Sequence, residues 1–84
     1  MTFYVYILQC CDGSYYTGYT KDVEARMQQH QNGRGARYTK SHPPQSVAYR
    51  EQFNTRSAAM KREREIKRLS HQQKESLIVE HSKK

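Results

Sequence analysis

Tyr4-Val5-Tyr6-Ile7-Leu8-Gln9-Cys10, Cys11-Asp12-Gly13-Ser14 and Tyr15-Tyr16-Thr17-Gly18-Tyr19-Thr20 place two runs of aromatic and β-branched residues around an Asp-Gly. No short stretch signals a hairpin more strongly. Its turn decides what the hairpin carries. A two-residue turn at Asp12-Gly13 pairs Tyr6 with Tyr19 and sends Tyr16 to the opposite face. A three-residue loop, Cys11-Asp12-Gly13, with the glycine as a left-handed bulge, pairs Cys10 with Ser14 instead. Tyr6 then stands opposite Gly18 and diagonal to Tyr16, within reach of a long side chain. The second register is preferred, because it leaves two phenols on one face with open space beside them, and packing alone rarely needs that.

After the hairpin, Asp22 reads as an N-cap, with Ala25 where a full capping box wants Glu or Gln. The helix it starts runs from about Val23 to Gln31 and stops at Asn32-Gly33. Val23 and Met27 share one face; Arg26 and His30, also four apart, share another. Gly33 to Pro44 is a basic loop. Arg34, Arg37, Tyr38 and Lys40 within it suit phosphate contacts and stacking on a base, or simply a solvated loop. The alternation of Val47, Tyr49, Glu51 and Phe53 predicts a third strand over 47–53. Asn54 or Thr55 caps a helix from about Arg56 to Leu69. Ser70 opens a last one, about His71 to Glu80, with Leu77 and Ile78 as its apolar contacts. Tyr15, Tyr19 and Tyr49 are assigned to packing. The order β-β-α-β-α-α predicts an α+β fold, a small three-stranded antiparallel sheet packed with three helices. Residues 1–80 are expected to form one domain and 81–84 a basic tail.

Eighty-four residues, 35% apolar, allow a modest core without metal or disulfide support. No apolar run approaches the roughly 20 residues of a membrane span, and no signal-peptide pattern opens the chain, so no membrane partner is expected. Cys10 and Cys11 are neighbours, and adjacent strand positions point to opposite faces. They read as structural thiols in a reducing, cytoplasmic setting rather than as a vicinal metal or redox pair. Fifteen Lys and Arg against eight Asp and Glu give a net charge of +7. The choice is between a polyanion partner and simple solubility. No acid falls between Glu24 and Glu51, whereas Arg26, Arg34, Arg37, Lys40 and Arg50 do. A surface serving only solubility mixes the signs, so nucleic acid is favoured.

On the helix from Arg56, Ala59, Met60 and Ile66 fall on one side at about 100° per residue, and Glu63 falls among them. Glu65 points away with the basic residues. An acid on such a face must be ion-paired, with Arg26 or a nearby Lys, protonated, or bound to a cation.

Together these residues resemble the GIY-YIG nuclease superfamily, and within it the short one-domain bacterial members that have no established role. Tyr4-Val5-Tyr6, Tyr16-Thr17-Gly18, Arg26-x-x-x-His30 and the late Glu63 follow the family's order and spacing from roughly Thr2 to Ile78. The resemblance implies Tyr6 and Tyr16 as the paired tyrosines, Gly18 as the motif glycine, Arg26 and His30 as the helix pair, and Glu63 as ligand of a divalent metal, Mg²⁺ or Mn²⁺. Tyr4 and Thr17 depart from the motif at positions that carry no chemistry. The late asparagine of some relatives has no counterpart after Asn54, and no separate DNA-recognition domain is expected. The implied activity is a metal-dependent endonuclease acting on DNA, structure-specific and set in repair or recombination. The alternative is a nucleic-acid-binding module with this fold and little turnover, and in either case a protein partner can supply specificity.

Cleaving a phosphodiester needs an activated water, charge neutralisation at the phosphate, and help for the leaving oxygen. Arg26 offers a fork of donors to phosphate oxygens. A free phenol titrates near ~10, too high for a base at neutral pH, so Arg26 and the metal are expected to lower it. The base is left open among Tyr6, Tyr16 and His30, with Tyr6 preferred and His30 assisting. Taken singly, the two tyrosines also fit ordinary sheet positions, and His30 a solvated helix surface.

Overall fold

The computed structural model describes residues 2–33 and 42–82. Among them the chain forms β1 (Phe3–Cys10), β2 (Tyr15–Thr20), α1 (Val23–Gln31), β3 (Pro44–Phe53), α2 (Arg56–Lys67) and α3 (His71–Ser82). The sheet is antiparallel throughout, in the order β2-β1-β3. This is the predicted α+β order.

The hairpin adopts the three-residue loop. Gly13 sits at φ 86°, its N–H donates to the Cys10 carbonyl at 3.0 Å, and the Cys10 N–H donates to the Ser14 carbonyl at 2.8 Å. Asp12 Oδ1 accepts from both the N–H and the hydroxyl of Ser14, a local turn that only a short acceptor side chain can make. The register that follows sets Tyr6 opposite Gly18 and Leu8 opposite Tyr16.

As the central strand, β1 is covered on both faces, which explains its nearly unbroken apolar sequence. Phe3, Val5 and Ile7 join Tyr49, Ala59 and Ile66 under α2 and α3, with Leu77 and Ile78 packed against them. Tyr6 and Leu8 join Val23 under α1, flanked by Tyr4, Tyr16, Met27 and Val47. Val5, Ile7 and Leu8 are fully buried, each contributing roughly 1.5–3 kcal/mol by leaving water. Cys10 is buried and Cys11 exposed, both as free thiols.

Each helix is capped as its sequence signals. Asp22 Oδ1 accepts from the Ala25 N–H at 3.1 Å, and Thr55, of the two candidates, caps α2 by accepting from the Ala58 N–H. Ser70 does the same for α3 through the Gln73 N–H. Gly33 ends α1 at φ 74°. At the start of α3, His71 stacks on Tyr15 and its Nε2 donates to the Gly13 carbonyl at 2.9 Å, tying this helix to the hairpin loop.

Three boundaries differ from the sequence reading. β3 begins at Pro44 rather than Val47, because β3 is an edge strand and a proline at its start forfeits no ladder bond. Its pairing with β1 slips between Ile7 and Leu8 and between Gln9 and Cys10, which interrupts the alternation there. Helix α2 ends at Lys67, not Leu69. Helix α3 runs on to Ser82, two residues past the expected end of the domain.

Candidate active site

Tyr6 and Gly18 face each other across the hairpin so closely that one dictates the other. A Cβ built on Gly18 would lie 2.6 Å from Tyr6 Oη and 2.8 Å from its Cζ. The absence of a side chain is what lets the phenol lie flat across β2. Gly18 has no left-handed backbone torsion, so space, not conformational freedom, requires glycine here. Tyr16 stands one residue pair along the same face, its ring centre 6.4 Å from that of Tyr6.

Helix α1 closes this face from above. Val23 and His30 are both buried, 2% and 1% exposed. Seven residues make almost two full turns, about 700°, so His30 returns to the face of Val23. His30 points into the sheet, and Arg26, its neighbour one turn earlier, sits half-buried at the border of the same face. His30 Nε2 lies 3.0 Å from Tyr6 Oη in a hydrogen bond, and its ring meets Tyr16 edge-on at 5.1 Å. Arg26 Nη1 donates to Gln29 Oε1 at 2.8 Å.

Burial governs the charge states. It pushes the Tyr6 phenol up to about 12, even though Arg26 beside it draws it down. Arg26 does draw the phenol down, as the sequence suggested, but desolvation in the central strand outweighs that pull. Burial, with Arg26 adding to it, also lowers the His30 imidazole from its ordinary value. Both partners of the Tyr6–His30 hydrogen bond are thus neutral at pH 7, and one proton is shared between two uncharged groups.

Tyr6, Tyr16, Gly18, Arg26 and Glu63 line a single open cleft of about 410 Å³, near the lower end of the roughly 300–1,000 Å³ of small-ligand pockets. Its lining draws on both layers of the fold. Tyr6 and Tyr16 come from the α1 side, whereas α2 packs on the other face against β1 and β2 and contributes Glu63. The two sides meet because β2 is an edge strand. Glu63 is 16% exposed in its side chain and pairs with Lys67 Nζ at 3.4 Å. That is the nearby-lysine pairing foreseen from the sequence, made to a lysine that is itself half exposed, so it leaves carboxylate capacity toward the cleft.

Among the described residues no cluster of three or more His, Cys, Asp or Glu could enclose a metal. A structural zinc site is therefore a poor fit. One carboxylate beside an open cleft suits a hard cation that keeps several waters and takes its other oxygens from a phosphate, the usual habit of Mg²⁺. Glu63 is the residue here that would hold it. Arg34, Arg37, Tyr38 and Lys40 lie outside the described residues. Sequence reasoning missed Tyr19, Thr20 and Gln29, which also line the cleft. For Gln29, its spacing of three from Arg26 on a helix was the available signal.

Residues 2–76 match the GIY-YIG catalytic domain family. The chain belongs to the GIY-YIG family. Among its relatives, a UPF0213 protein of Staphylococcus saprophyticus is 54% identical over 77 residues, spanning 92% of this chain and 94% of the relative. A UPF0213 protein of Staphylococcus epidermidis is 53% identical over the same shares. Two solution structures are similar: a UPF0213 protein from Bacillus halodurans (46% identity, TM-score 0.60, covering 94% of this chain and 84% of that one) and a protein from E. faecalis (39%, 0.67, 100% and 90%). The chain thus sits among short bacterial GIY-YIG proteins. Its two departures from the motif, Tyr4 and Thr17, are absent from the cleft lining, and Thr17 is buried.

Proposed function

We propose that this GIY-YIG domain is an endonuclease that hydrolyses DNA phosphodiester bonds with a divalent cation, Mg²⁺ or Mn²⁺, on branched or damaged DNA of the kind met in repair and recombination. The observation that carries the reading is the meeting of Tyr6, Tyr16, Arg26 and Glu63 around one cleft, with His30 bonded behind Tyr6. A cation held by Glu63 would act as a Lewis acid, offsetting charge on the phosphate and on the leaving oxygen.

The chain's own residues do the rest. Arg26 grips non-bridging phosphate oxygens and fixes the orientation of the scissile bond. Tyr6, pushed up to about 12, is not a standing phenolate at pH 7. It works instead as one link of a relay: the attacking water gives a proton to Tyr6 Oη as Tyr6 gives its own to His30 Nε2. His30 must be neutral to receive it, and its lowered pKa secures that. Tyr16, edge-on to His30, walls the relay from solvent on one side and leaves the cleft side open for substrate.

A second reading rests on the same shifts. Burial opposes the positive charge that His30 must take when it receives the relayed proton, so a domain that binds nucleic acid and barely turns over is the alternative. One experiment separates the two. Labelled single-stranded, duplex, nicked, flapped and four-way-junction DNAs are incubated with wild type, Glu63→Ala and Tyr6→Phe, with and without Mg²⁺ or Mn²⁺. Metal-dependent cleavage lost in both variants supports the nuclease. Salt-sensitive binding without cleavage by wild type moves the conclusion to the binding module.

A further inference from the structure

The solvent side of α2 carries a charge pattern that the cleft does not use. At about 100° per residue, Arg56, Met60, Lys61, Arg64, Lys67 and the C-cap Arg68 share an arc of roughly 140°. The five cations are exposed and no acid falls inside the arc. The helix's two acids border it: Glu63 on the cleft side, and Glu65, which pairs with Arg62, on the other. Lys61 and Arg64 have no ion-pair or hydrogen-bond partner among the described residues. The neighbouring helix α3 is different: it mixes Lys74 with Glu75 and Glu80, as a face serving solubility does.

This arc is continuous with the cleft. A groove lined by Arg56, Met60, Lys61 and Arg64 shares Arg56 with a second groove, which also holds Lys21 and Tyr19. Tyr19 in turn lines the cleft, and its hydroxyl accepts from Arg56 Nε at 3.3 Å. We infer that the exposed face of α2 is a docking track for the sugar–phosphate backbone of duplex DNA leaving the cleft past Glu63; the inference rests on reading the cleft as a phosphodiester site. Twelve helical residues span about 18 Å, a length of duplex axis over which one strand carries roughly five phosphates at 3.4 Å each. A lipid surface fits less well. The apolar side of α2, Ala59 and Ile66, is spent in the core, and Met60 is what the arc offers to acyl chains.

The test is binding of a labelled duplex DNA in EDTA, where no cleavage interferes, followed by fluorescence anisotropy from 50 to 200 mM salt. Lys61→Ala/Arg64→Ala is compared with wild type and with Arg50→Ala/Lys74→Ala, which removes the same charge elsewhere. Each lost phosphate contact flattens the logarithmic salt slope by about 0.9, so wild-type affinity should fall across this range about twelvefold more than that of the stripe variant. The control pair should keep most of the wild-type slope, and Lys61→Arg/Arg64→Lys should restore it. A stripe variant with the wild-type slope overturns the inference, while metal-dependent cleavage by wild type would leave the proposed function standing. Wild type that fails to bind duplex DNA at all overturns it too. So does a stripe variant that loses binding to phosphatidylglycerol vesicles while its DNA binding is unchanged.

Discussion

Replacing Gly18 with alanine sets two physical effects against each other. On backbone grounds alanine is favoured, since Gly18 has no left-handed torsion and the unfolded chain loses freedom, a gain of about 0.4–1 kcal/mol. The new Cβ, however, would lie 2.6 Å from Tyr6 Oη and 2.8 Å from Cζ. Tyr6 is 1% exposed and bonded to His30, so its ring cannot move without giving up that bond. Overpacking of this kind costs about 1–3 kcal/mol, and losing the Tyr6–His30 hydrogen bond a further 0.5–1.5 or so. The clash should win, for a net destabilisation of about 2 kcal/mol. At roughly 4–8 °C per kcal/mol for a domain of this size, the melting temperature should drop by about 8–16 °C. Thermal and urea unfolding of Gly18→Ala, alone and in a Tyr6→Phe background, measure this. In that background the nearest contact is gone and the Cζ contact remains, so the penalty should shrink without vanishing. Gly18→Ala as stable as wild type, or an equal penalty in both backgrounds, would refute the steric account of this glycine.

Two further predictions follow from burial. Tyr6 should ionise near about 12, seen as an ultraviolet phenolate step that Tyr6→Phe removes. Its folded pKa is raised, so the stability linked to it is complete below the unfolded value of about 10 and is lost as pH climbs toward 12; Tyr6→Phe should flatten that part of the profile. His30 has a folded pKa lowered by burial and by Arg26, so its linked stability is present above about 6.5 and is lost as pH falls through the depressed value. Imidazole NMR titration should place the His30 midpoint below 6.5, and a midpoint at or above 6.5 would contradict the burial argument.

Much of the fold was legible because local chemistry signalled it. Asp12-Gly13 specified the bulged loop, and through the loop the Tyr6–Gly18 register. Asp22, Thr55 and Ser70 marked helix starts by side-chain acceptors that need no tertiary context. The misreadings came where tertiary surroundings decide. The four-residue rule made His30 a neighbour of Arg26, but that His30 also returns to the buried face of Val23 becomes visible only once the sheet defines which side of α1 is inside. The burial that outweighs Arg26 at Tyr6 was not legible, because the sequence shows neighbouring charges more readily than desolvation, and only the strand order reveals that β1 is central. The start of β3 was set too late because a proline ordinarily argues against a strand, an objection that lapses at an edge. On α2 the sequence reading followed Glu63 and noted the basic residues only as pointing away, without tracing the arc they form beside the cleft.

The position of β1 also sets a timetable for synthesis. Of this sheet's strands, the one that leaves the ribosome first is the one that must finish in the middle. Its hairpin partner follows within ten residues, and such a hairpin closes in about 1–10 μs. Its other neighbour, β3, begins only at Pro44 and ends at Phe53. At about 5–20 residues per second, the wait is roughly 2–9 s. Throughout that interval one side of Phe3–Cys10 offers bare peptide groups on a strand rich in valine, isoleucine and tyrosine, the composition most prone to pair with another chain. Newly made copies of this small protein are therefore most vulnerable to aggregation before the last third of the chain arrives, and chaperone dependence should track the delay in delivering β3 more closely than the stability of the finished domain.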